Sequence, residues 1–303
     1  MARPGRRAAT LVVVVLVLVA AAVAVAVSAA DRAEPAKQSA PVDSAARSDA
    51  PGHTHVHLGD SYAAGAGVQP LLADSPFLCQ RAERNFGQLV AEAERWDLVD
   101  VSCSGARTAH LAQSQYEGVR PQLEAVGPET ETVTMTLGGN DSALFTSLIG
   151  TCARLGRQQQ RGSPCRSEMG ARVERILAGT QRDLTAGLRA IAERAPKARV
   201  FVVGYPWILP AQQGCYDRIP IAAGDVPFVH DGQARLNTAL RRSAEAAGAT
   251  FVDMSGRARG HDACAEPGQR WVEPMTVAGP ASLHPNADGQ RAMADAVLAA
   301  LDS

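Results

Sequence analysis

Five short apolar segments, separated by longer stretches with helical periodicity, constrain the fold of this 303-residue chain most strongly. Short segments rich in β-branched residues are typical of strands that a parallel sheet buries on both faces. The stretches between them carry apolar residues at the spacing of one helix face. This alternation predicts a three-layer α/β/α sandwich around a central, mostly parallel five-stranded sheet. The predicted strands are residues 54–58, 98–101, 132–137, 199–203 and 250–253, and the clearest helical patterns cover residues 86–93, 173–191, 236–244 and 293–298.

The N-terminal part of the chain has a different composition. Three arginines within the first seven residues precede an almost unbroken apolar run over residues 8–27, which is the pattern of an export segment. Small residues at 28–30 suit cleavage, yet the apolar run is also long enough to span a bilayer. We interpret residues 1–30 as a signal peptide or an N-terminal membrane anchor, so the protein is expected to be secreted or tethered outside the cell. Residues 31–52 are predicted to be a disordered linker, and residues 53–303 the folded domain.

Charge and cysteine content argue against nucleic-acid binding and against a zinc site. The 30 basic and 31 acidic side chains are interspersed, and this absence of a basic patch argues against a nucleic-acid partner. An even number of cysteines behind an export segment favours disulfides, whereas zinc ligation would want the C-x-x-C pairs that the chain lacks. The number of cysteines alone leaves many pairings open.

Four short polar motifs lie near the ends of predicted strands or just before the last helix. In a parallel α/β sheet the loops beyond the carboxyl ends of the strands form the ligand site, so we expect the motifs to converge. A serine hydroxyl becomes a nucleophile only with a base to take its proton and donors to stabilise the oxyanion. The motifs offer a hydroxyl, an imidazole and an amide, and they are Gly59-Asp60-Ser61, Ser104-Gly105, Gly138-Gly139-Asn140-Asp141 and Leu283-His284-Pro285-Asn286.

In this order the motifs resemble the four blocks of the SGNH (GDSL-type) hydrolases, over nearly all of the chain outside its N-terminal tail. The resemblance implies a flavodoxin-like fold and ester hydrolysis through an acyl-enzyme, without a cofactor. Ser61 would be the nucleophile and His284 the general base. The oxyanion hole would use the backbone N–H groups of Ser61 and Gly105 and the side-chain amide of Asn140. Asp60 and Asp141 are interpreted as groups that brace turns.

The chain departs from the family pattern at one position. The family carries an aspartate three residues before the histidine, and Ala281 stands there instead. A subgroup of secreted relatives lacks this acid and orients the histidine through a backbone carbonyl, which makes a Ser-His dyad. By resemblance, the carbonyl of Ala281 would accept the second N–H of His284. Three carboxylates remain as alternatives for a third catalytic residue: Asp253, Asp262 and Glu273.

The cysteine pairing is also taken from the resemblance. Secreted Streptomyces-type esterases and lipases of this group pair their cysteines sequentially, and on a parallel sheet two of the pairs would join loops that follow neighbouring strands in the chain. Each bridge is worth about 3 kcal/mol in chain-entropy estimates, which would stiffen the loops around the site. The expected pairs are Cys79–Cys103, Cys152–Cys165 and Cys215–Cys264.

Substrate and partners depend on the loops. Apolar residues in segments 69–80 and 207–227, together with the cysteine-closed loop 152–165, suit a lipid or a short acyl ester, or they seal the core. We favour an esterase or lipase that acts as a monomer. An acetyl-carbohydrate esterase, with an acylated carbohydrate as substrate, is the alternative enzyme. A non-catalytic cell-surface binding module with the same fold is the alternative from another class.

Three histidines alternate along the first predicted strand and therefore share one face. They are His53, His55 and His57, and three imidazoles on one face could ligate a metal. His53 lies at the frayed end of the strand, and two imidazoles alone make a poor site. We therefore predict no metal site and interpret these histidines as packing against, or capping, the sheet.

Overall fold

The computed structural model describes residues 52–303. The predicted export segment, and all of the predicted linker except Gly52, lie outside this range. Five strands form one parallel sheet in the order β2-β1-β3-β4-β5, which confirms the predicted architecture. The strands are β1 (Thr54–Gly59), β2 (Asp97–Asp100), β3 (Thr132–Thr136), β4 (Arg199–Val203) and β5 (Thr250–Val252).

Burial explains why these segments are strands. All five residues of β3 are buried, as expected for the middle strand of a sheet that is covered on both faces. On one face, Val56 and Leu58 of β1 stand beside Val133 and Met135 of β3 in parallel register. These four side chains are completely buried. β-Branched and long apolar side chains therefore make the central pairing of the sheet.

Six α-helices surround the sheet in the described part of the chain. Within residues 52–303, none of them is both long and apolar enough to cross a membrane. The helices are α1 (Ser61–Ala64), α2 (Phe86–Glu94), α3 (Leu144–Gln158), α4 (Pro164–Arg194), α5 (Val226–Ala246) and α6 (Ala287–Leu301).

The helices cover both faces of the sheet. On one face, Phe86 of α2 and Met293 of α6 pack in one apolar cluster with Phe201 of β4. On the other, Leu184 of α4 and Leu236 of α5 share the larger cluster with Val202. Because neighbouring residues of a strand point to opposite faces, Phe201 and Val202 anchor two separate layers. The three-layer sandwich is therefore built as the periodicity indicates.

One helix was not predicted. The segment 152–165 was expected to be a loop, but α3 extends from Leu144 to Gln158 and α4 begins at Pro164, so Cys152 and Cys165 both lie in helices. The apolar face of α3 explains its formation, since Leu144, Leu148 and Cys152 recur at intervals of four residues and are buried.

The structure contains the three expected disulfides. Cys79–Cys103 joins the loop after α1 to the loop after β2. Cys152–Cys165 joins α3 to α4. Cys215–Cys264 joins the loops after β4 and β5. The first and third bridges therefore cross-link loops at the carboxyl ends of the strands.

His55 and His57 of β1, and His53 just before it, contact the neighbouring strand β3. His53 bonds to the hydroxyl of Thr132 at 2.8 Å. The ring nitrogens of His55 and His57 lie 2.7 Å and 2.8 Å from the hydroxyl oxygen of Thr134. No group of three or more His, Cys, Asp or Glu side chains within residues 52–303 is arranged to hold a metal ion.

Candidate active site

Ser61 owes its position to the turn that ends β1. Gly59 has a φ of +127°, and a Cβ there would collide with the carbonyl oxygen of Thr136. Only glycine accepts this backbone at low cost. Asp60 then caps α1, because its Oδ1 accepts the N–H of Tyr62 at 2.9 Å. Ser61 is therefore the first helical residue after β1, and it is 6% exposed.

His284 lies against this serine. Its Nε2 is 2.8 Å from Ser61 Oγ, and its Nδ1 is 2.8 Å from the carbonyl oxygen of Ser282. A carbonyl only accepts hydrogen bonds, so the proton of the neutral ring resides on Nδ1. Nε2 is then free to accept the hydroxyl proton of Ser61. Burial lowers the pKa of His284, which favours this neutral form.

The carbonyl that holds the ring belongs to Ser282, so the prediction of Ala281 was wrong. The Ala281 carbonyl accepts the backbone N–H of His284 at 3.0 Å instead. Leu283 causes the difference: its φ of +61° turns the chain so that the Ser282 carbonyl is the one that reaches Nδ1. Tyr62 supports this turn, since its hydroxyl donates to the Leu283 carbonyl at 2.6 Å.

Within residues 52–303, no carboxylate forms a hydrogen bond with His284. Asp253 accepts the N–H of Ser255 at 2.8 Å. Asp262 accepts the N–H of Cys264 at 2.9 Å. The carboxylate of Glu273 bonds to Arg270 at 2.8 Å and to Asn286 at 2.9 Å. The three alternative acids thus have other partners, which are Ser255, Cys264, Arg270 and Asn286.

Two of the expected oxyanion donors have no acceptor among the described residues: the backbone N–H groups of Ser61 and Gly105. Gly105 has a φ of +78°, and its loop is tied down where Ser104 N–H donates to the Cys79 carbonyl at 2.9 Å. The Asn140 amide donates to the carbonyl of Ala106, the residue after Gly105, at 3.1 Å. Asn140 and the Gly105 loop are therefore in direct contact.

Buried polar side chains brace these loops. Asp141 accepts the backbone N–H and the hydroxyl of Thr108, both at 2.9 Å, which ties the Asn140 loop to the segment after Gly105. Tyr205, which follows β4, donates to Asp60 Oδ2 at 2.6 Å and accepts the N–H of Gly139 at 2.8 Å. Burial raises the pKa of Asp60 to about 7. Asp60 and Asp141 thus occupy the bracing positions expected of them.

Sequence reasoning missed the two tyrosines that hold the site together. Tyr62 contacts the loop of His284, and Tyr205 links the turn of Ser61 to the turn of Asn140. Their position in the sequence could have indicated this role, since each is a polar aromatic residue just beyond the carboxyl end of a strand. Tyrosine combines a large apolar ring with a hydroxyl that needs a partner when it is buried.

A cavity of about 300 Å³ opens beside the serine. Ser61, Asn140 and His284 line it together, whereas Gly105 is not among the lining residues. Ile208 comes from the segment after β4 that was expected to contribute, whereas no residue of segment 69–80 lines the cavity. The remaining wall is mostly apolar and includes Tyr62, Phe145, Ile149, Met275 and Leu283.

Comparison with known proteins agrees with this geometry. Residues 57–292 match the GDSL-like lipase/acylhydrolase family. Lipase 2 of Streptomyces coelicolor is 45% identical over 80% of this chain and 83% of its own length. The crystal structure of an extracellular lipase from Streptomyces rimosus aligns with a TM-score of 0.69 at 27% identity, over 82% of this chain and 99% of that chain. Phospholipase A1 from Streptomyces albidoflavus aligns with a TM-score of 0.67 at 25% identity over the same shares. The chain therefore belongs to the GDSL-like lipase/acylhydrolase family and is a carboxylic ester hydrolase.

Proposed function

We propose that the protein is a secreted lipase or esterase that works through an acyl-enzyme on Ser61, with His284 as general base. The observation that carries this proposal is the 2.8 Å contact between His284 Nε2 and Ser61 Oγ in a ring whose Nδ1 is bonded to a carbonyl. That arrangement gives the serine a neutral base of the correct tautomer.

The reaction follows in two halves. His284 takes the hydroxyl proton as Ser61 Oγ attacks the ester carbonyl, and the oxyanion receives hydrogen bonds from the N–H groups of Ser61 and Gly105 and from the Asn140 amide. Collapse of this intermediate expels the alcohol, which takes the proton from His284 and leaves an acyl group on Ser61. Water then attacks the acyl-enzyme while His284 takes its proton. Collapse of the second intermediate breaks the bond to Ser61 Oγ, which recovers the proton from His284 as the acid is released.

The Ser282 carbonyl takes the place of the family's aspartate in this proposal. Its hydrogen bond fixes the tautomer and the orientation of His284, as a carboxylate does in a triad. A carbonyl carries no net charge, so it stabilises the imidazolium less than a carboxylate would. The mechanism is therefore a Ser-His dyad.

The cavity favours a lipid acyl chain as substrate. Phe145, Ile149, Ile208 and Met275 offer an apolar wall next to Ser61, and such a wall gains free energy by covering the methylene groups of an acyl chain. The similar chains named as lipases and as phospholipase A1 support the same substrate class. An acetyl group would leave most of this wall uncovered, which disfavours an acetyl-carbohydrate esterase.

We propose export as the localisation. Residues 1–30 have the pattern of an export segment, and three disulfides suit an oxidising compartment. Cleavage would release the enzyme, and an uncleaved segment would tether it to the outer face of the membrane. The proposed active unit is the monomer, because one chain supplies both members of the dyad.

A series of p-nitrophenyl esters of increasing acyl length tests this function. The wild type should prefer medium or long chains over acetate. Ser61→Ala and His284→Ala should each nearly abolish hydrolysis, and the double variant should be no worse, because nucleophile and base act as one unit. Ser167→Ala, on the exposed surface of α4, is the matched control and should retain full activity. Near wild-type turnover by folded Ser61→Ala would overturn the proposal.

A further inference from the structure

We propose that Phe77, Leu78 and Tyr116 form an apolar rim that docks the enzyme onto an electrically neutral lipid surface, with the catalytic cleft facing the lipid. The inference rests on the proposed function, because it places the ester substrate within that surface. It assigns a binding role to residues that take no part in the dyad, the oxyanion hole or the wall of the cavity.

The exposure of these side chains is unusual for the molecule. Phe77 is 79% exposed, Leu78 54% and Tyr116 38%. Within residues 52–303 the other large apolar side chain that is exposed is Val99, at 44%, on the edge strand β2. Phe77 and Leu78 directly precede Cys79, which is disulfide-bonded to Cys103. Tyr116 lies three residues before Val119, which is buried in one cluster with that disulfide. Exposed apolar side chains that cluster mark interaction sites more often than scattered ones do.

The backbone beneath the rim is well anchored. Leu78 is followed by Cys79, whose disulfide with Cys103 packs against buried Val119. Cys79 N–H donates to the Pro76 carbonyl at 2.8 Å, and Gln80 Nε2 donates to the Phe77 carbonyl at 2.7 Å.

The two parts of the rim meet at this disulfide. The N–H of Val119 donates to the carbonyl of Tyr116 at 3.1 Å, which fixes the turn that carries the tyrosine. Phe77 and Leu78 are thus exposed on the loop that ends at Cys79, and Tyr116 is exposed on the turn that precedes Val119.

The rim borders the catalytic machinery. Ser104 N–H donates to the Cys79 carbonyl at 2.9 Å, so the loop of Leu78 is bonded directly to the loop of Gly105. A Cβ placed on Gly105 would lie 3.8 Å from Tyr116 Oη. The rim therefore begins where the proposed oxyanion donor is held. An ester that enters from a lipid surface at the rim would therefore pass the loop of Gly105 before it reaches Ser61.

The charges around the rim indicate which lipid surface fits. The segments 74–84 and 116–120 carry three acidic and three basic side chains, so they have no net charge. Binding to anionic lipids relies on clusters of Lys and Arg, which these segments lack. Aromatic and leucine side chains instead insert at the boundary between headgroups and acyl chains. A zwitterionic or neutral surface is therefore the occupant that we propose. The six charged residues are Asp74, Glu83, Glu117, Arg81, Arg84 and Arg120.

A pair of serine substitutions separates docking from chemistry. Phe77→Ser combined with Leu78→Ser should leave kcat/KM for a soluble p-nitrophenyl ester unchanged. Hydrolysis of 4-methylumbelliferyl oleate carried in phosphatidylcholine vesicles should fall about tenfold or more at low vesicle concentration, since each lost side chain forfeits its apolar transfer energy. Val99→Ser is the matched control and should leave both rates unchanged. The proposal would be contradicted if the double variant lost equal activity on the soluble ester and on the vesicle-borne ester. It would also be contradicted if the variant lost no activity on vesicles.

A local probe then identifies the surface that enters the lipid. The fluorescence gained in Leu78→Trp should shift to the blue and be quenched by vesicles of dibrominated phosphatidylcholine, whereas that gained in Val99→Trp should not. The N-terminal segment does not affect this comparison, because each probe reports its own position. If the protein proves inactive on every ester, the proposed function fails while the quenching result still stands.

Two further outcomes would also overturn the proposal. One is equal quenching of the probes at positions 78 and 99. The other is self-association of the wild type in sedimentation velocity, lost in the serine double variant and accompanied by no quenching at Leu78→Trp. The rim would then be an interface between two copies of the chain.

Discussion

Replacing His55 with glutamine tests the buried histidine network beneath the active site. His57 Nε2 lies 3.0 Å from the carbonyl of Ala63, so His57 carries its proton there and accepts the Thr134 hydroxyl proton at Nδ1. The Thr134 oxygen can then accept from His55 Nε2 at 2.7 Å. His55 Nδ1 is buried and has no partner. Protonating His55 would place a second N–H where no acceptor lies, and burial, with His57 and His53 nearby, lowers its pKa to about 3.

The expected change in stability with pH follows from the two pKa values of His55, which are about 3 in the folded chain and 6.5 in the unfolded chain. Between pH 7 and about pH 4.5 the unfolded chain takes up this proton and the folded chain does not. The contribution of His55 to the free energy of unfolding therefore falls as the pH falls, by about 2.5 kcal/mol over this interval. Asp60 acts in the opposite direction, because burial raises its pKa to about 7, and the folded state then binds the extra proton. A wild-type curve alone would mix the two effects.

The assay is urea unfolding, followed by circular dichroism at pH 7 and at about pH 4.5, on wild type and His55→Gln. The glutamine amide can still donate to Thr134 but does not titrate. The loss of stability between the two pH values should be about 2.5 kcal/mol larger in the wild type than in the variant. Equal losses in the two proteins would show that His55 is protonated in the folded state, and the network deduced from Thr134 would be wrong.

The remaining predictions concern the catalytic loops. Asn140→Ala should lower kcat by about 10²–10³ with little change in KM, because the amide acts on the developing oxyanion; a change in KM alone would assign Asn140 to substrate binding. Tyr62→Phe frees the Leu283 carbonyl and loosens the turn that carries His284, so kcat should fall about tenfold, the equivalent of one hydrogen bond, while KM stays close to wild type. An unchanged kcat would remove Tyr62 from the positioning of the base. Amide substitutions of the three alternative acids should each cost little kcat, whereas a true triad acid would cost about 10⁴. A loss of that size in a folded variant would refute the dyad, and the three substitutions are Asp253→Asn, Asp262→Asn and Glu273→Gln.

The sheet could be predicted from the sequence because burial leaves a local signature there. The residues of β3 are buried on both sides, so the segment is apolar or β-branched throughout and its identity does not depend on distant contacts. The parallel topology then places Ser61 and Asn140 at one edge without further information. Position relative to the strands thus accounts for most of the candidate site.

The contacts that orient the base could not be predicted in this way. Which carbonyl faces His284 depends on the left-handed backbone of Leu283, a residue type that gives no warning of a positive φ. That backbone is supported by the Tyr62 hydroxyl, 221 residues away in the chain. The role of Tyr205 likewise arises only when three loops meet at Asp60 and Gly139. Helix α3 is a different case, because its periodic apolar face was present in the sequence.

Trapping the acyl-enzyme tests the central claim most directly. Wild type and Ser61→Ala are mixed with excess p-nitrophenyl ester, quenched in acid within the first turnovers, and digested for peptide mass measurement. The dyad mechanism predicts that the wild-type peptide containing Ser61 gains the mass of the acyl group, in proportion to a burst of p-nitrophenol. Ser61→Ala should show neither the added mass nor the burst. An acyl group found on another residue, or sustained turnover by Ser61→Ala, would contradict the assignment of Ser61 as the nucleophile.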